Sequence, residues 1–345
     1  MIFDRNQSLF NSDVHKKIWE AAVMTSPIEK STEFINDADL KSSCIDWYNY
    51  KNALYSDMYD NPDVYLLTSG LGVMDYNGFF SDLLQTGKLE SDNIFVVDLQ
   101  NLDKLTGIRR WRFHIDHIYQ ALSRQGMNFN FDRQNNIVKV SSSLFPFMFY
   151  AGEKLFESIQ QYKNNGGERT KYLNYCDFRA LQKGYKRDFD IMTESLSDER
   201  MSIARQIHEI ATDNKLRQIK RLNFNSLPYD YKSGHVIRFN TYGNEFSFSL
   251  AMGMSYELLC DEIKKRDPSG DLIAYFYKNI SRCTACGGLK KDPKAICGRY
   301  YDLGGESVLI CSPCIYILFN HCTESDIPYF IQLLDIRLDF YNAGI

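Results

Sequence analysis

The spacing of apolar positions changes several times along this chain, and each change marks an expected element. Residues 1–60 are polar and punctuated, with helix-like stretches around Asp13–Val23 and Ala38–Tyr55. From Asn61 the texture shifts. The short apolar run Val64–Thr68 predicts a strand, Ser69–Gly72 a glycine-bearing turn, Gly78–Leu84 a helix, and Ile94–Asp98 a second strand. A charged, aromatic helix is expected over about Ile108–Gln125.

Two later segments resemble each other. The first runs through Phe129–Phe131, a polar turn at Asp132–Asn136, Ile137–Val140 and Phe145–Phe149, reaching Gly152 before a helix. The second runs through Tyr229–Tyr231, a turn at Lys232–Gly234, Val236–Phe239 and Phe246–Leu250, reaching Gly253 before a helix from about Tyr256. One hundred residues separate Phe129 from Tyr229, and 101 separate Gly152 from Gly253. Both alternate aromatic with small or polar residues at period two, which predicts two or three antiparallel strands with one buried face. Helix-like stretches precede each, at Ile118–Gln125 and Ile203–Leu222. This pattern suggests an internal duplication of an α/β-meander unit, although shared patterning alone would give the same appearance.

Between the two segments, residues 163–200 are polar and rich in turn formers, and carry a basic cluster at Lys183, Lys186 and Arg187. A second basic cluster, Lys215, Arg217, Lys220 and Arg221, reads as a helix face. Solvated helix faces account for most such runs.

Composition narrows the function classes. The 345 residues are 44% hydrophobic and 24% charged, ordinary for a globular protein. Aromatics reach 14%, with 23 Tyr and 23 Phe, which fits well-filled sheet cores or an aromatic-lined pocket. A net charge of −4 argues against bulk nucleic-acid binding without excluding a local basic patch. The N-terminus has no signal-peptide pattern, and the longest apolar stretch, about Val308–Phe319, falls short of the ~18 residues a membrane span needs. Nine cysteines without a secretory signal point to a reducing, cytoplasmic setting.

Six of those cysteines crowd the C-terminal region. Cys283 and Cys286 form one CxxC pair, and Cys311 and Cys314 form another 24 residues later. Two such pairs suit a tetrahedral metal, each wrapping its thiolates around one face of the ion. A glycine follows Cys286, Cys297–Tyr301 and Glu306–Ile310 read as a hairpin across Asp302–Gly305, and Ile315 to about Phe319 reads as an apolar helix. The region 281–322 resembles the treble-clef and zinc-ribbon class of four-cysteine zinc modules. That resemblance implies one structural Zn2+ per chain, with the following helix packed on the body of the protein. Cys297 in place of Cys314 is the alternative ligand set. An all-sulfur site leaves no open position for hydrolytic chemistry.

Other chemistry is sparse. His114 and His117 form the one histidine cluster, on a helix face with Arg110. A strand, Gly70-x-Gly72, a helix and a strand ending in Asp98 outline a nucleotide-binding unit. Asp75 stands where the fingerprint needs its third glycine, and a carboxylate there opposes a pyrophosphate.

The reading is an α+β protein: a helical region 1–60, a first α/β unit 61–165, a linker 166–200, a second α/β unit 201–280, and a zinc-binding helical module 281–345. Its expected role is zinc-containing and non-enzymatic, binding a small molecule or a protein partner on aromatic-rich sheets with Tyr229, Tyr231, Phe246 and Phe248. Nucleic-acid binding through the zinc module and the helix 215–221 is one alternative. An enzyme using His114/His117, or a nucleotide at Gly70–Gly72, is the other.

Overall fold

The computed structural model describes residues 15–343 except 16–17, 20, 23, 66–70, 92, 107–112, 161–167, 220–225, 233, 284–297 and 312–314. It is an α+β structure of two compact units: residues 1–187 with 222–224 and 242–244, and residues 188–221, 225–241 and 245–345.

Unit 1 is organised by helix α1, Ala38–Asp60. Asp37 caps it, its carboxylate accepting from the amides of Asp39 and Leu40 at 3.0 Å each. Cys44, Trp47, Lys51, Leu54, Tyr55 and Met58 fall on one face at helical spacing and are fully buried. The helix stops before Pro62, which opens the short helix α2, Pro62–Tyr65. The strand expected at Val64–Thr68 is therefore a helical turn through Tyr65, and Thr68 lies outside the described residues. Helix α3, Val73–Thr86, follows.

Strands β1 (Gly87–Ser91), β2 (Ile94–Asp98), β3 (Met127–Asp132) and β4 (Ile137–Ser142) form a sheet in the order β1-β2-β4-β3. All its pairings are antiparallel. Phe95 aligns with Val140 and Val97 with Val138, all four buried, so the alternation selects the register. Helix α4, Leu99–Thr106, follows β2, and helix α5, Ile115–Ser123, precedes the β3–β4 hairpin.

Phe145–Phe149 does not continue as a third strand. Ser142 Oγ accepts the Phe145 amide at 3.0 Å, the chain turns, and helix α6 runs Met148–Ile159. Phe149 stacks on Phe95 with ring centroids 5.2 Å apart.

The segment 166–200 is not a linker throughout. Helix α7, Glu168–Asn174, and the turn after it bury Tyr172, Leu173, Cys176 and Phe178 in unit 1. The division between units falls after Arg187.

In unit 2, helix α8, Asp198–Asp213, precedes β5 (Arg217–Gln218), β6 (Ser226–Tyr231), β7 (Gly234–Tyr242) and β8 (Glu245–Ala251). Helices α9, Tyr256–Arg266, and α10, Asp271–Asn279, come next. A hairpin of β9 (Gly298–Leu303) and β10 (Glu306–Cys311), strand β11 (Tyr316–Asn320) and helix α11 (Ile327–Asn342) complete the unit. The sheet order is β11-β8-β7-β6-β5.

Ile315–Phe319 is thus not a helix, and 281–345 is not a separate helical module. Its strand β11 completes the sheet of the second α/β unit by pairing with β8. Ile315, Ile317 and Phe319 are buried while Tyr316 and Leu318 are half-buried. That is period two, which so short an apolar run does not separate from a helix before its partner is known.

The two meanders share an element order, helix–hairpin–helix, but unit 2 adds a third strand. Their matched glycines also do different work. Gly253 ends β8 with φ +62°, in the left-handed region. Gly152 lies inside α6, where an added Cβ would sit 2.6 Å from Trp47 Cζ3. Gly152→Ala is expected to destabilise unit 1 by up to about 2 kcal/mol in urea unfolding. The overlap costs about 1–3 kcal/mol and outweighs the ~1 kcal/mol helix preference for alanine.

Candidate metal centre and buried polar networks

The hairpin that carries the second cysteine pair is built locally. Gly304 and Gly305 have φ of +68° and +100°, which a two-residue turn between right-twisted strands requires. Asp302 Oδ1 accepts the Gly305 amide at 2.6 Å. The register puts Cys311 opposite Gly298, the residue after Cys297.

The approach to the first pair runs alongside this hairpin and the strand leaving it. Ile280 bridges to Ile317, and the Ser281 amide donates to Tyr316 O at 2.8 Å. The Cys283 amide donates to Leu309 O at 2.9 Å, two residues before Cys311. Arg282 holds Glu306 through two bonds of 2.7 and 2.8 Å, an exposed pair that contributes little by itself. Main-chain bonds therefore draw together the entry to the first CxxC, the strand ending at Cys311, and the strand starting after Cys314. Cys286, Cys297 and Cys314 lie outside the described residues. The free thiol of Cys322 is buried, and its chain neighbour His321 is exposed.

The aromatic residues expected to line a ligand face are mostly core. Tyr229, Phe246 and Phe248 are 1%, 2% and 1% exposed, leaving no surface for a ligand. Phe248 stacks on Phe319 at 4.3 Å and meets the edge of Phe330, while Phe246 stacks on Phe239 at 5.1 Å. Tyr229 bonds its hydroxyl to His208 Nδ1 at 2.7 Å. Only Tyr231 stays half-buried, edge-on to Tyr341.

The nucleotide outline dissolves as well. Asp75 Oδ2 accepts the Gly72 amide at 2.6 Å and closes the N-terminus of α3, where a phosphate would have sat. Asp98 accepts the Asn101 amide at 2.8 Å, and its strand runs antiparallel to both neighbours. Gly70 lies outside the described residues, as do Arg110 and Trp111. His114 occupies the N-cap of α5, and His117 Nε2 has no hydrogen-bond partner among the described residues.

The expected basic helix over 215–221 is absent at its start. Helix α8 ends at Asp213, Lys215 turns with φ +62°, and Arg217 pairs in β5. Lys220 and Arg221 lie outside the described residues.

Sequence reasoning missed two buried polar networks in unit 1. Lys51 is 0% exposed; its Nζ donates to Asn77 Oδ1 at 2.9 Å and lies 4.6 Å from the Phe80 ring centroid. Tyr55 Oη lies 3.3 Å from the same Asn77 oxygen and 3.1 Å from Asn77 Nδ2. The available signal was a lysine inside the apolar stripe Trp47, Lys51, Leu54, Tyr55. The second network centres on Asp177, fully buried. Arg179 Nε donates to it at 2.7 Å, Tyr185 at 3.2 Å, and Arg187 Nη1 lies 3.7 Å away.

These networks make stability depend on alkaline pH. Burial lowers Lys51 from 10.5 to about 8, so the unfolded chain binds its proton more tightly and stability gains as pH rises across that window. Burial pushes Cys176 from 9.0 up to about 12, and raises Cys44, Tyr50 and Tyr55. For these acids the unfolded chain loses protons first, so stability is lost as pH climbs above about 9. Four groups oppose one. The urea midpoint is expected to fall steeply between about pH 9 and 10.5, and Lys51→Met is expected to steepen that fall by removing the opposing contribution.

No protein-family model, curated protein or solved structure matches this chain. No helix among the described residues is long and apolar enough to cross a membrane.

Proposed function

We propose that this chain is a zinc-containing binding or regulatory protein, with one structural zinc held by the thiolates of Cys283, Cys286, Cys311 and Cys314. The supporting observation is the main-chain bond from Cys283 to Leu309, two residues before Cys311. The Ser281–Tyr316 bond beside it adds support, because it brings the exit of the second pair to the entry of the first. The donor chemistry agrees: four soft thiolates at CxxC spacing suit zinc in a reducing compartment. Zinc bound there supplies a cross-link and leaves no open position for substrate. The cysteines' job is then to tie the β9–β10 hairpin to the edge strand β11, which carries α11 behind it. Because Tyr229, Phe246 and Phe248 are core, a partner or ligand is bound by unit surfaces rather than by the interior aromatic faces.

Native mass spectrometry of the purified protein tests this. One zinc per chain is expected in the wild type and none in Cys283→Ser or Cys311→Ser. Comparing Cys314→Ser with Cys297→Ser identifies the fourth ligand, since only the true ligand's loss releases metal. A wild-type chain that stays metal-free after zinc supplementation overturns the reading.

A further inference from the structure

Arg337 stands on the core side of α11, 7% exposed, and its Nε is buried without a hydrogen bond among the described residues. Such a guanidinium is ordinarily paired with a carboxylate. The neighbouring acids of its own helix are engaged or averted. Asp339 pairs with Arg266, and Asp335 is exposed two residues along the helix.

Two groups pack against the guanidinium. One is Gly253, where an added Cβ would meet Nη1, Cζ and Nη2 together. Tyr341 also packs against the group, with Cζ 4.9 Å from its ring centroid. The guanidinium's terminal N–H groups have no hydrogen-bond partner among the described residues. Their planar edge is the part of arginine that recognises an oxyanion through two parallel bonds.

A second cation lies close by. Lys232 Nζ is 5.9 Å from the same Tyr341 centroid and 5.3 Å from that of Tyr231, and it donates to Asn342 Oδ1 at 3.0 Å. Two cations around one tyrosine, with Arg337 lacking a counter-ion among the described residues, suit a dianion better than a single carboxylate. We propose that Arg337, assisted by Lys232, forms an oxyanion site in unit 2 that takes the phosphate group of a small ligand. The site does not depend on the zinc reading.

The test is thermal melting of the zinc-saturated full chain, titrated with inorganic phosphate, phenyl phosphate or acetate against sodium chloride of matched ionic strength. Phosphate is expected to raise the wild-type midpoint. Arg337→Met is expected to weaken the apparent affinity at least about tenfold, since it removes charge-assisted bonds. Lys232→Gln is expected to weaken it about threefold, as an exposed charge. Without ligand, Arg337→Met is expected to melt no lower than wild type, because a buried unpaired charge is gone. Tighter binding of phenyl phosphate than of phosphate would identify a phosphate ester as the ligand; equal binding would identify free phosphate.

No wild-type response beyond the chloride control overturns the site, as does an unaltered response in Arg337→Met. Acetate acting as strongly as phosphate overturns the phosphate assignment. If Arg337→Met does not fold, an unaltered phosphate response in Lys232→Gln overturns it.

Discussion

Chelation of zinc is expected to unravel the β9–β10 hairpin and release β11 and α11, while unit 1 stays folded. The reason lies in where β11 sits. It is the edge of the unit 2 sheet, paired with β8 on one side, and among the described residues its other side meets the short approach at Ile280 and Ser281. A five-residue edge strand following a two-stranded hairpin has little local stability of its own. Binding energy at a structural zinc site is folding energy, about 10–16 kcal/mol for isolated zinc-finger peptides. β11 and α11 share one core with Phe246, Phe248 and Ile203, so the loss should start at the C-terminal end and weaken the rest of unit 2. Limited proteolysis with and without chelator reads this directly. New cleavage within 281–326, with residues 38–60 still protected, is the expected result. An unchanged digest after the metal is removed would leave the cysteines as ordinary buried thiols.

Asp177→Ala is expected to cost unit 1 about 3–5 kcal/mol, the range for removing one partner of a buried charge cluster. Asp177 is the acid between Arg179 and Arg187, whose side chains are only 9% and 7% exposed. Without it the two buried guanidiniums lose the carboxylate they share. Asp177→Asn should recover part of the loss by keeping a hydrogen-bond acceptor for Tyr185, but not the charge. Urea unfolding of both variants separates the two contributions. A cost below about 1 kcal/mol for the alanine variant would mean that the arginines find other partners.

Much of the local structure was legible before any tertiary contact was known. The helix-like stretch Ala38–Tyr55 marked α1, and the Asp302–Gly305 turn marked the β9–β10 hairpin. The alternation Phe246, Phe248, Leu250 marked β8. In each case the signal and its cause lie within a few residues: a helical spacing, two glycines able to take positive φ, a period of two. The candidate site was legible as four cysteines at metal-binding spacing, because that pattern too is local.

Elements that depend on distant partners were not legible. Ile315–Phe319 has the composition of a buried helix or a buried strand, and pairing with β8 decides for the strand. Phe145–Phe149 has the alternation of a strand, yet Ser43 of α1 accepts the Ala151 amide at 2.7 Å and donates to Phe147 O, holding the start of a helix there. The aromatic positions 229, 246 and 248 announced a buried face but not what covers it; α8 supplies His208 to Tyr229, and α11 supplies Phe330 to Phe248. Lys51 and Arg337 both read as ordinary cations in the sequence. Lys51 is held by Asn77 and an aromatic ring, whereas Arg337 packs against Gly253 and Tyr341 with no ion pair among the described residues. Sequence by itself determined element type wherever short-range sterics and capping dominate, and the paired CxxC spacing on which the zinc proposal rests. Tertiary structure alone decided which apolar face is covered and which buried charge has a partner, because burial and charge pairing are set by residues far apart along the chain.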